Sequence, residues 1–317
     1  MRRGQTGLAA VQVWLATMAG LAGGTARAEA TPPPRISIDV GAGYESQSAP
    51  LIQLSPESTV VYLPGLQRLN GAHVRTAVQG FADTALGAGV SASVAGDATV
   101  KRAPGTPDLD FLSLSLQPML HLPVGTASIG VGLQLQRMDV ARHPFRNTRG
   151  VTANWTWPAS DGLWAVVAET GSYRHKGELA DLDARASALV VQRQFNHPLP
   201  GIDGMDLAAS VGRERNVHGF RALSHRSAML SASAQWTWLG AGWSAGGSWR
   251  RARFEDTAFD GEPPRDDRTT LLDLSAQWPL SSRQSLRVEL NDVRNASSTR
   301  LYENHYRKIS VALRQDL

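Results

Sequence analysis

Pairs of charged and amide residues separated by even numbers of positions are the chemistry this sequence offers. They are Arg75 and Gln79, Gln134 and Gln136, Arg185 and Arg193, Asp273 and Gln277, Arg287 and Glu289, and Lys308 and Arg314, with Glu214 in a similar setting. In an extended chain, where side chains alternate between two faces, such spacing puts both members of a pair on the same face. A face of mixed cations, carboxylates and amides suits the lining of a wet interior, where it either discriminates between solutes or holds the interior together through ion pairs. Catalytic and metal motifs are missing: the sequence has no H-E-x-x-H, P-loop or G-x-G-x-x-G opening a helix, and no G-x-S-x-G elbow, since Gly242-Trp243-Ser244-Ala245-Gly246 falls inside an alternating run rather than at a strand-to-helix turn. Its eight His residues stand singly, none two or four positions from another, so neither a metal site nor a cofactor is expected. Ser224-His225 is a lone dipeptide that would serve a hydrolase only if the fold brought an acid to it.

The elements that position these residues are alternating segments. Ile36, Ile38 and Val40 alternate with Ser37, Asp39 and Gly41; Ala72, Val74, Thr76 and Val78 with His73, Arg75 and Gln79; and Leu112, Leu114 and Leu116 with Ser113, Ser115 and Gln117. The same period recurs through 127–138, 151–157, 227–238, 243–249, 272–278 and 305–317. Each segment has one apolar face and one polar face, and Gly, Pro, Asp and Asn clusters separate them. Strands of roughly ten residues with lipid on one side and water on the other show this signature. Trp155, Trp157, Trp236, Trp238, Trp243, Trp249 and Trp278 fall on the apolar faces, mostly beside turns. They are expected to form a girdle at the membrane interface, where an indole buries its ring and keeps its N–H in water.

Short connections at 123–125, 158–162, 239–242 and 279–283 alternate with longer polar ones at 141–149, 174–182, 218–226 and 256–268. This predicts an all-β fold, a transmembrane antiparallel outer-membrane β-barrel of about 14 strands, with 12 or 16 as alternatives. The connection 196–204 looks long for a periplasmic turn, and 46–70 is ambiguous. If 58–63 is a full strand, the count becomes odd.

Residues 1–28 read as a secretory signal peptide: Arg2 and Arg3, an apolar stretch from Leu8 to Leu21, then Ala26-Arg27-Ala28. A short Pro-rich lead occupies 29–34, and the barrel 35–317. Three of the 32 Lys and Arg residues, Arg2, Arg3 and Arg27, leave with the signal, so 29 face 28 Asp and Glu in the mature chain. That near-balance removes any charge argument for nucleic-acid binding. There is no Cys, which excludes disulfides and thiolate chemistry.

The run from Arg287 to Arg314 contains Arg294-Asn295-Ala296-Ser297-Ser298, Leu301-Tyr302-Glu303-Asn304 and Tyr306-Arg307. It resembles the closing hairpin of the surface lipoprotein assembly modifier barrels, in which an Asn/Ser-rich loop leads to a Tyr-x-x-x-Tyr-Arg element and the terminal strand. Gly43-Tyr44-Glu45-Ser46 is similar to that family's Gly-Tyr-Asp-Ser entry, as is the Pro- and Asp-rich loop before Leu271. The likeness covers the barrel and not the tetratricopeptide repeats that usually precede it in that family. It implies a barrel that assists translocation or surface display of a partner lipoprotein. The alternative is a passive or solute-selective porin-like channel. The partners expected are outer-membrane lipid, the barrel-assembly machinery and, on the first reading, a lipoprotein client.

Overall fold

The computed structural model describes residues 34–48, 51–53, 60–62, 70–257 and 261–317. The expected signal peptide, and all of the Pro-rich lead except Pro34, lie outside them. The first barrel strand is β1 (Arg35–Gln47), followed by a short hairpin of β2 (Leu51–Gln53) and β3 (Val60–Tyr62). Then come β4 (Gly71–Gly87), β5 (Val90–Arg102), β6 (Phe111–Val124), β7 (Ala127–Val140), β8 (His143–Ala159) and β9 (Gly162–His175). The rest are β10 (Ala184–Leu199), β11 (Ile202–Asn216), β12 (His225–Trp238), β13 (Ala241–Phe254), β14 (Asp266–Pro279), β15 (Gln284–Ser297) and β16 (Asn304–Asp316).

Neighbouring strands pair antiparallel all the way round, and β1 closes the ring by pairing with β16, from Ser37 opposite Asp316 to Gln47 opposite Tyr306. The result is a closed barrel of fourteen strands, with β2 and β3 paired only to each other. Of the segment 58–63, the described residues Val60–Tyr62 form β3 outside the ring, whose strand count is even. Closure leaves no sheet edge unpaired, which a lipid-exposed sheet requires.

Glycine sets how tightly the seam closes. A Cβ on Gly41 would stand 2.3 Å from the Val311 carbonyl oxygen and 2.7 Å from the Ala312 Cβ. Only a residue without a side chain lets β1 lie this close to β16.

Both described chain ends and six tight turns share one end of the barrel; the longer connections, several carrying 3-10 turns, share the other. Leu239 and Gly240 take φ 51° and 72°, the left-handed pair whose twist matches a two-residue hairpin. Two expected connections are corrected. The segment 141–149 is no long loop: β7 and β8 join through Ala141 and Arg142 alone, at φ 50° and 66°. Neither is glycine, so the turn is strained by about 1–3 kcal/mol per residue and gives no sequence signal. Asp110 holds it, its carbonyl accepting from the Ala141 N–H at 2.9 Å and its carboxylate from Arg142 Nε at 2.6 Å. The segment 196–204 is likewise a tight turn, because β10 runs on through an irregularity to Leu199 and β11 resumes at Ile202.

Outside, the barrel carries an apolar band that includes Val40, Val78, Leu114, Val131, Val151, Leu189, Leu230, Leu272 and Val311, all exposed. Inside, small apolar clusters occupy particular places. Phe111, Met138, Val140 and Phe145 pack beneath the outer connections, and Met119 meets Val167 within the bore.

Candidate functional site

Strand parity and burial place Arg75, Gln79, Gln134, Gln136, Glu214, Asp273, Gln277, Arg287, Glu289, Lys308 and Arg314 on the inward face. Arg185 and Arg193 are corrected, because both point outward. Arg185 is exposed near the outer end of β10. Arg193 lies at the other end, its guanidinium 5.3 Å from the Trp164 ring centroid and 4.5 Å from that of Phe195, paired with Asp161 in the neighbouring turn. A charge may face outward wherever the strand has left the hydrocarbon, so charge alone does not give the face.

The strands around the seam bring their inward charges together. Glu45 of β1 accepts from Lys101 of β5 and, at 2.8 Å, from the Tyr306 hydroxyl of β16. Glu289 of β15 is bridged by Arg287 at 3.1 Å, by Lys308 at 3.4 Å and by Arg75 at 3.5 Å, and accepts from Ser310 at 3.3 Å. Arg75 belongs to β4, so this contact spans β1 and β16. In register, Arg75 stands opposite Gly41, and a Cβ on Gly41 or Gly43 would meet the Ala312 or Ser310 side chain. Side chains of Lys101, Glu45 and Lys308 are at most 4% exposed. Four cations thus share two carboxylates along one wall.

Half the circumference away, on β8 to β11, the inward residues are mostly small or neutral, with Arg146, Glu169, Asp206 and Glu214 as the charged exceptions. The small or neutral ones include Thr152, Ala165, Val167, Ala186, Ala188 and Ser210. Gly132 of β7 makes room for Met119, whose Cγ stands 2.6 Å from where a Cβ would be. Thr148, Thr152, Asn154 Nδ2 and Gln192 Nε2 are buried with no hydrogen-bond partner among the described residues. Buried polar groups of that kind are normally satisfied by solvent, which fits a wet bore.

Glu45, Lys101 and Tyr306 of this site were not among the candidates read from the sequence. The available signal was weak: β5 alternates Ala, Val and Gly against Ser, Asp and Thr, and Lys101 stands out only as one of three lysines. Ser224 and His225 do not act together. The Ser224 Oγ accepts from the Asn216 N–H at 3.0 Å, whereas His225 Nε2 faces Arg250 at 3.0 Å. Among the described residues no group of three metal-ligating side chains converges.

Of the girdle residues, Trp155, Trp157, Trp236, Trp238, Trp243 and Trp278 lie outward near the short-turn end. Trp157 stacks on Trp164, with centroids 6.3 Å apart, and Trp236 on Trp243, at 6.4 Å. Trp164 completes the first group and was missed. Trp249 also faces outward but stands apart from these groups, opposite Leu230 and Thr270 and one outward position below Arg251, at the other edge of the apolar band.

Similar barrels occur among solved structures. OpdK of Pseudomonas aeruginosa, crystallised with vanillate, aligns with TM-score 0.46 and 8% identity over 90% of this chain and 99% of that one. OmpF of Salmonella typhi, in complex with daunomycin, gives 0.46 and 10% over 89% and 97%. A loop-deletion mutant of OmpT, an outer membrane protein of Vibrio cholerae, gives 0.45 and 9% over 90% and 99%. No protein-family model matches the chain, and no curated protein matches it in sequence. At such scores, function must be argued from this chain's own residues.

Proposed function

We propose that the chain is an outer-membrane channel for small polar solutes, with the charged wall around the seam as its discriminating zone. The observation that carries this is the row joining Lys101, Glu45, Arg75, Glu289 and Lys308 across β5, β4, β1, β16 and β15, facing a wall of small residues. Fixed charges at the side of a bore favour solutes of complementary charge, and small residues opposite leave them room. The apolar band and the Trp groups fit a bilayer, and the barrel has no sheet edge to shed. The reading in which the barrel displays a partner lipoprotein gains nothing from this geometry. The seam it would use is registered along its length and tied on the inside by Glu45 and Tyr306.

The test is conductance of the purified mature chain in planar bilayers. Steady ohmic steps are expected. Ala188→Trp should reduce them, and Glu289→Gln, which removes a carboxylate bridged by Arg287, Lys308 and Arg75, should move the reversal potential toward anion preference. Folded barrels that conduct nothing, together with loss of one surface lipoprotein from a deletion strain, would reverse the choice between the two readings.

A further inference from the structure

The outward face between β10 and β14 changes character near its outer end. Above Leu189, Val211 and Leu230, the register sets arginines directly opposite one another. Arg185 faces Arg215, Arg226 faces Arg213 on one side and Arg253 on the other, and Arg251 faces Arg268. Like charges directly opposed on one face of a sheet destabilise it, and four such pairings in five adjacent strands call for a counter-charge. The protein supplies little. Asp266 binds Arg251 at 2.5 Å and lies 3.7 Å from Arg253, and Glu255, just past β13, binds Arg213 at 2.7 Å. Among the described residues, no carboxylate lies within ion-pair distance of Arg185, Arg215, Arg226 or Arg268, although Glu255 also acts on Arg215 and Asp266 on Arg268 from farther away. A groove of about 710 Å³ opens at the centre of the array, lined by Arg221, Arg226, Arg251 and Arg253, with Glu255 as its one acid.

We propose that this rim is a docking surface for phosphate-bearing lipid headgroups of the outer leaflet. Guanidinium forks bind phosphate oxygens in pairs. Strands stand about 4.8 Å apart, so neighbouring arginines can share one phosphate. The choice of a lipid over a free anion follows from height. The arginines stand immediately above the apolar band, so an anion seated on them has its acyl chains beside Val211 and Leu230. The proposal rests on the outward face meeting lipid and is independent of what passes through the lumen.

The experiment compares the folded wild-type chain with the variant Arg213→Gln/Arg226→Gln/Arg253→Gln. Each is placed in phosphatidylcholine vesicles alone, in vesicles containing phosphatidic acid, and in phosphatidylcholine with inorganic phosphate in solution. The readout is the temperature at which the folded form is lost on gels. Phosphatidic acid should raise that temperature for the wild type, and the variant should lose roughly half or more of the shift; inorganic phosphate should not reproduce it. An equal shift in both proteins, no shift in either, or the same shift from inorganic phosphate would overturn the proposal. Should the triple variant not fold, Arg185→Gln/Arg268→Gln, at positions without an ion pair to lose, takes its place under the same criteria.

Discussion

Around the seam, β15, β16, β1, β4 and β5 turn Glu289, Lys308, Glu45, Arg75 and Lys101 into the bore; β8 to β11, across from them, present Thr152, Val167, Ala188 and Ser210. Both walls have the same backbone and the same alternation. They differ in how their side chains are satisfied. The seam residues hold one another through charge-assisted contacts that span several strands, so removing one leaves others unbalanced. Most of the opposite residues are small, with Arg146, Glu169, Asp206 and Glu214 set singly among them. The bore therefore has an ion-paired row on one side and a wall of mainly small residues on the other. This difference tells where a substitution will damage the fold and where it will only change the passage.

The largest test of that contrast is Glu289→Ala. It strands Arg75, Arg287 and Lys308 around a lost carboxylate, and breaking a buried ion pair costs about 3–5 kcal/mol. Ser210→Ala on the opposite wall should stay within about 0.5 kcal/mol. Urea midpoints of the two folded variants give the comparison, and equal losses would erase the distinction between the walls.

Next in size is a tight place beside the neutral side, where β7 meets β6. Gly132→Val drives a side chain into Met119 Cγ and the Pro118 carbonyl, 2.6 and 2.5 Å from the added Cβ. Overpacking of this kind costs about 1–3 kcal/mol. Gly132→Val combined with Met119→Ala should recover part of the loss in the same urea titration.

A smaller effect concerns the connections capping each wall, and it depends on pH. Asp110 follows β5, on the charged side, and Asp183 joins β9 to β10, on the neutral side. Burial pushes both carboxyls up. Arg142, the Ala103 N–H and Arg102 outweigh it at Asp110, as the His175 N–H and Arg174 do at Asp183, so both end below the usual carboxylate range. A depressed folded pKa gives stability that is fully present above about pH 4, the unfolded value, and lost as pH falls through the folded one. Protease susceptibility of both connections should therefore rise on going from pH 5 to pH 3 while the barrel stays folded. Asp183→Asn should remove that dependence at 176–183 alone. A response confined to one connection in the wild type would show that the two caps are unequal.

The smallest change should come from Ala188→Ser, a hydroxyl added to a wall that is already wet: stability within about 0.5 kcal/mol and conductance close to wild type. A large fall in conductance would mean that the neutral wall is the constriction.

Much of this was legible in the chain. Alternation at period two gave the inward set from Arg75 to Arg314 because one face must be apolar in lipid and the other polar in water. It failed at Arg185 and Arg193 for a definite reason. A charge reports that a residue avoids hydrocarbon, and a residue can do so by facing the lumen or by standing beyond the apolar band. Height, which period two does not encode, also separates Trp249, near the arginines, from the other Trp residues at the short-turn end. The Ala141-Arg142 turn carries no glycine to announce it, and β5 is too rich in Ala and Gly for its alternation to stand out.

The sequence by itself determined that this chain makes tilted, two-faced strands joined by alternating tight and longer connections, since each of those properties is written within ten or fifteen neighbouring residues. Only the tertiary structure decided that Glu45 is bound to Lys101 and Tyr306, that Arg75 reaches Glu289 across two strands, and that arginines 185 and 215, 213 and 226, and 251 and 268 stand face to face. Such partners lie up to 261 residues apart. What brings them together is the closure of the ring and the register of each strand pair, and both are fixed by the sum of all the pairings rather than by any one segment.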